Sequence, residues 1–78
     1  MITRSTKESA QRRKVLQTLG ARIRDRRRER GMTQEALAES LELSVAYISL
    51  IERGGRNPPI TTVYAIARAL GVSPGDLV

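Results

Sequence analysis

The side chains with the most chemical reach fall in one stretch. Thr33, Gln34, Ser44, Tyr47, Ser49, Arg53, Arg56 and Asn57 supply hydroxyls, amides and guanidinium groups within residues 33–57. Such groups hold anions or hydrogen-bond to a partner's edges; they do not break bonds unaided. The chain has no histidine and no cysteine. That removes thiol and imidazole chemistry and leaves no credible zinc site. The acidic residues do not form a pair in a credible acid–base site. These residues point to binding. Neither an enzyme, nor a cofactor, nor a metal site is expected.

Two short helices must position them. Thr33 suits an N-cap, because its hydroxyl can accept a bond from an orphan backbone N–H of the first turn. Leu37, Ala38 and Leu41 then recur at helical spacing. The helix should stop near Leu41, with Glu42 and Leu43 as the connection. Ser44 is a second N-cap, and Ile48 and Ile51 share one face of the helix behind it. The opposite face carries Val45, Ala46, Ser49, Leu50 and Arg53. That face has aliphatic side chains, a hydroxyl and charge only at its end, so it calls for a partner. Two helices joined tightly, the second presenting its first residues outward, make the arrangement that enters a DNA major groove.

Composition agrees with a small basic domain. The chain has 78 residues, a formal charge of +6, and no Phe or Trp. Its core must come from Leu, Ile, Val, Ala and Met, and a core that thin gains from dimerisation. Residues 1–31 hold eleven Lys and Arg against three acids; residues 32–78 hold three against five. A basic half suggests a polyanion partner, the alternative being a solvated basic helix. No apolar run approaches the ~20 residues of a membrane span. The first residues are charged where a signal peptide would be apolar. A cytoplasmic protein is expected.

Around the central stretch, residues 1–6 read as mobile, and Ser5 with Glu8 has capping-box spacing. Residues 7–30 are rich in helix formers. Ala10, Leu16, Leu19 and Ile23 give an intermittent apolar stripe, interrupted by Gly20 at a cost of ~1 kcal/mol relative to Ala. One continuous helix is favoured over two joined near residues 18–20. Gly31 should be the left-handed C-cap, followed by Met32 tucked into the core. Residues 54–59 form a loop by their Gly, Asn and Pro content. A fourth helix starts near Ile60, with Val63, Ile66, Ala67 and Leu70 on its apolar face, and ends at Gly71. Ser73 and Pro74 open a final helical turn through Asp76 and Leu77.

The chain resembles the phage-repressor/Cro-type helix-turn-helix family, the xenobiotic-response-element type of bacterial regulator. The resemblance rests on Gly31, Met32, Thr33, Gln34, Glu35, Ala36, Leu37 and Ala38. It continues through Leu43, Ser44, Tyr47, Ile48, Ser49, Ile51, Glu52, Arg53, Gly54, Arg56, Asn57 and Pro58. It closes on Ala69, Leu70, Gly71, Val72 and Ser73. It covers roughly residues 19–77 without a gap and leaves residues 1–18 as an unexplained basic extension. It implies an all-α, compact five-helix repressor-like DNA-binding domain over residues 19–78. Its recognition helix, about residues 45–53, would enter the major groove.

The resemblance also implies roles. Gln34 would bond a phosphate and set the register of the recognition helix. Thr33, Ser44, Tyr47, Arg56 and Asn57 are further phosphate candidates, although Tyr47 could equally be a half-buried packing residue. Backbone N–H groups at the start of the fourth helix could hold another phosphate. Val45, Ala46, Ser49, Leu50 and Arg53 would read bases. They lack the Arg–guanine and Gln–adenine pairings, so modest direct readout with help from DNA shape is expected. Arg27 and Glu52 match the family's buried ion pair. Arg26 departs from an aliphatic position, which implies either a shallower core there or an Arg stem along apolar surface with its head in water.

Family members usually bind as dimers on two-fold operators. Ile60, Tyr64, Leu77 and Val78 are candidates for the dimer surface, though Leu77 could instead cap the monomer core. A repressor or a restriction–modification controller fits the length. The alternative is an antitoxin-like protein-interaction module with secondary DNA binding.

Overall fold

Four helices follow one another along the chain: α1 Ile2–Glu29, α2 Gln34–Leu41, α3 Val45–Glu52 and α4 Ile60–Leu70. The computed structural model describes the backbone of residues 2–78 and the side chains of residues 7–78. Ser5, expected as a cap, lies inside α1, which begins at Ile2; the side chains of residues 1–6 lie outside those described. The expected fifth helix is a single 3-10 turn, Pro74–Asp76. The Asp76 carboxylate accepts from the Ser73 N–H at 3.0 Å and from its hydroxyl at 3.2 Å, closing that turn. No strand occurs among the described residues.

α1 runs unbroken through Gly20, because long helix-forming stretches flank it and its carboxyl half is packed. At ~1.5 Å per residue its 28 residues span about 42 Å, close to the molecule's longest extent of 44 Å. Among the described side chains of α1, burial begins at Leu16. Leu19 and Ile23 are buried and Leu16 half-buried, whereas Ala10, expected on the stripe, is exposed. The first turns of α1 therefore overhang the domain.

All four helices end in the same way. The pairs Gly31 and Met32, Glu42 and Leu43, Gly54 and Gly55, and Gly71 and Val72 each bond backward as a Schellman motif, the second N–H reaching five residues back and the first three. Three of the left-handed positions are glycines; the fourth is Glu42, at φ 56°.

The core gathers Leu19 and Ile23 of α1, Leu37 and Ala38 of α2, Ile48 and Ile51 of α3, the apolar face of α4, and Leu77. Leu77 is fully buried, so it seals the monomer and is not available to a dimer. Two arginines, Arg22 in α1 and Arg30 just beyond it, hold backbone carbonyls of the carboxyl-terminal part. Arg22 Nη1 donates to the Val78 carbonyl at 3.0 Å, and Arg30 Nη1 to the Leu70 carbonyl at the end of α4 at 3.3 Å. Arg26 is half-buried, and its guanidinium lies 3.9 Å from the Glu29 carboxylate and 4.0 Å from that of Asp76.

Candidate nucleic-acid interface

Each helix of the central pair starts on a hydroxyl cap. Thr33 Oγ1 accepts from the Ala36 N–H at 2.9 Å, and Ser44 Oγ from the Tyr47 N–H at 3.1 Å. Both hydroxyls keep their own proton to donate, which suits a phosphate oxygen. Both residues are exposed. Glu42, Leu43 and the cap Ser44 are all that separates the two helices, and α2 packs on α3.

α3 divides cleanly. Ile48 and Ile51 are buried, while Val45, Ala46 and Arg53 are exposed and Ser49 and Leu50 are half-buried. Val45, Ala46 and Ser49 thus form an open patch at the start of the helix. Arg53 is its C-cap residue, and its Nε leans back to the Ser49 carbonyl at 3.4 Å. Tyr47 is half-buried and packs against the core. Arg56 and Asn57 are exposed on the segment between α3 and α4, which buried Pro58 anchors. The structure thus brings the caps and the open patch onto two adjoining helices, with Arg56 and Asn57 just beyond the end of α3. At α4, the Thr62 and Val63 N–H groups both turn back to the Pro59 carbonyl.

Behind this surface lies a buried ion pair. Arg27 Nε donates to Glu52 Oε2 at 2.6 Å, and Arg27 Nη2 to Glu52 Oε1 at 3.0 Å. Arg27 Nη1 donates to the Met32 carbonyl at 2.8 Å. Both side chains are buried. The hydrogen bond to Glu52 pushes the Arg27 pKa above its ordinary value; burial opposes this, and the Glu52 and Glu35 charges add to the rise. The bidentate fork fixes α1 against the end of α3. Gln34 joins it, donating from Nε2 to Glu52 Oε1 at 3.0 Å.

Two positioning contacts are not evident from the sequence. A Cβ built on Gly20 would lie 2.3 Å from the Ile51 carbonyl oxygen and 2.5 Å from that of Glu52. The apparent flaw in α1 is therefore the point where α1 crosses the end of α3. The second is Gln34's bond to Glu52, which joins residues 18 positions apart. For Gly20 the signal was present, a lone glycine in a strong helix former; for Gln34 there was none.

This architecture, a capped helix, a three-residue connection and a second helix with a bare amino-terminal face, is a helix-turn-helix. The helix-turn-helix family profile matches residues 23–77, and the chain belongs to that family. The chain is 45% identical over 60 residues to an uncharacterized HTH-type transcriptional regulator, y4dJ, of Sinorhizobium fredii, covering 77% of this chain and 78% of that protein. It is 44% identical over 61 residues to the immunity repressor protein of Bacillus phage phi105, covering 78% of this chain but 42% of the repressor. Among solved structures it is similar to the restriction–modification controller protein C.Esp1396I, seen as a tetramer with its natural 35 base-pair operator. The TM-score is 0.70 and the identity 42%, over 76% of this chain and 78% of that one.

Among the described residues no group of three or more His, Cys, Asp or Glu could hold a metal ion, and no helix is long and apolar enough to cross a membrane.

Proposed function

We propose that the protein is a cytoplasmic, sequence-specific regulator of transcription that binds double-stranded DNA as a homodimer and has no enzymatic role. The observation that carries this reading is the bare start of α3 on a helix-turn-helix: Val45 and Ala46 exposed, with Ile48 and Ile51 buried behind them. Residues 19–78 are the DNA-binding domain and residues 1–18 an extension. Val45 and Ala46 meet thymine methyls, and Ser49, Leu50 and Arg53 complete the base-reading set. Thr33, Gln34, Ser44, Tyr47, Arg56 and Asn57 hold phosphates and fix the register. Exposed Ile60, Tyr64 and Val78 are the apolar candidates for the dimer contact. The operator-bound tetramer of C.Esp1396I supports this mode of assembly.

Selection of bound duplexes from a random pool at near-physiological salt tests the reading. The expected product is a two-fold motif with half-sites about one helical turn apart. Salt-sensitive binding without any enrichment would instead favour the protein-interaction reading, in which Val45 and Leu50 bury against a partner protein.

A further inference from the structure

The face of α1 that packs on the domain changes character where the helix leaves it. Within the domain that face carries Leu19, Gly20, Ile23 and Arg27, all buried, and Leu16 is half-buried at the boundary. Three and four residues before Leu16, on the same side of the helix, stand Arg13 and Arg12. Both are exposed, and neither has an ion-pair partner among the described residues. A face that went on to pack against protein would stay apolar there. This one turns basic.

Its position relative to the candidate interface is fixed by a tight contact. Gly54, the left-handed residue closing α3, sits so close to α1 that a Cβ on it would lie 2.8 Å from Gln17 Cγ. Arg13 is one helical turn before Gln17 on that side. Arg56 lies two residues beyond Gly54, within about 8 Å along the chain. Arg24, two turns after Gln17, has its Nε shielded and without a hydrogen-bond partner. Residues 7–18 carry four Lys and Arg against one acid, Glu8, which stands one turn before Arg12. From residue 17 back to residue 7 the helix extends about 15 Å, and duplex DNA presents one charge per ~1.7 Å of its axis.

We propose that Arg12 and Arg13, carried past the Gly54 turn by the overhang of α1, hold backbone phosphates of duplex DNA outside the stretch engaged by α2 and α3. The extension lengthens the footprint without reading bases. This inference rests on the DNA-binding reading above.

The test uses the full chain and two duplexes, one ending at the selected half-sites and one with added flanking base pairs, each titrated across a salt series. The wild-type chain should bind the longer duplex more tightly and with a steeper salt dependence. Arg12→Gln with Arg13→Gln should abolish that difference and lower the slope of log K against log salt by about 1.8, at ~0.9 per phosphate. Base preference and thermal midpoint should stay unchanged. Lys14→Gln, on the opposite side of α1, should retain the wild-type advantage on the longer duplex. A double variant that keeps the wild-type slope and length dependence would overturn the inference while leaving the DNA-binding reading intact. So would a loss of binding that sedimentation traces to a dissociated dimer. A wild-type chain that selects no duplex at all would sink the functional reading itself.

Discussion

Gln34 Nε2 and Arg27 Nη2 donate to the same oxygen, Glu52 Oε1, each at 3.0 Å. One carboxylate therefore joins the start of α2, the last turn of α1 and the end of α3. The residue proposed to set the register on DNA is oriented by the charge pair that sets the register of the helices. An ion pair taken out of water adds little net stability when intact, yet stranding one partner is costly. The pair's value here lies in holding three elements at one point.

Glu52→Ala should therefore destabilise the fold by about 3–5 kcal/mol, because it leaves the Arg27 guanidinium buried and uncompensated. Urea or thermal unfolding checks this, and a loss below ~1 kcal/mol would place the pair in the solvent-exposed class. Replacing both partners by apolar residues of similar volume should cost less than Glu52→Ala alone. The sign of the pH dependence follows from the raised pKa of Arg27. The stability linked to its charge is fully present below the unfolded-state value and is lost only as pH rises through the still higher folded-state value. Ordinary alkaline buffers should leave that contribution intact.

Gln34→Ala should weaken binding to all duplexes by a similar factor and reduce the salt slope by up to ~0.9, the share of one phosphate. Its effect on folding should be much smaller than that of Glu52→Ala, since the Arg27 fork survives. Titrations against the selected operator and an unrelated duplex separate the outcomes. A loss confined to the operator would make Gln34 a base reader.

Ser49→Ala should behave in the opposite way. The hydroxyl is half-buried on the open side of α3, and its removal should alter preference at a particular base-pair position while leaving nonspecific affinity alone. Discrimination at one position is typically worth about 1–3 kcal/mol. Repeated selection with the variant gives the answer; an unchanged motif would remove Ser49 from the readout.

Legibility followed sequence distance. The caps Thr33 and Ser44, the stop at Leu41 and the left-handed Gly31 and Gly71 were readable because cap and turn chemistry is local. The buried faces of α3 and α4 were readable because apolar spacing is periodic. Glu42 was readable as a connection but not as a left-handed residue, since Glu has no intrinsic preference for that conformation and the packing of half-buried Leu43 lies beyond any local pattern. The final turn was readable from Ser73, Pro74 and Asp76, which carry a helix-start signal; it forms as a 3-10 turn and not as a full fifth α-helix. The candidate interface was legible as a set of side-chain types. Leu77 could have served a dimer or the core, and only packing decided. Gln34's bond to Glu52 depends on where two helices cross, which no local pattern encodes.

The crossing itself supplies the sharpest contrast between propensity and packing. On helix propensity alone, Gly20→Ala should stabilise α1 by about 1 kcal/mol. In the folded chain the new methyl would meet the Ile51 and Glu52 carbonyls at 2.3 and 2.5 Å, and backbone oxygens cannot rotate away as a flexible side chain can. α1 would have to lift from the end of α3, straining the Arg27–Glu52 fork that bridges the same two helices. Overpacking of this kind costs about 1–3 kcal/mol, and here it should exceed the gain in propensity. Gly20→Ala should lower the unfolding midpoint. A peptide of α1 alone carrying the same change should gain helicity by circular dichroism. A full chain stabilised by Gly20→Ala would mean that α1 does not cross α3 at Gly20, and the placement of the overhang beside the Gly54 turn would fall with it.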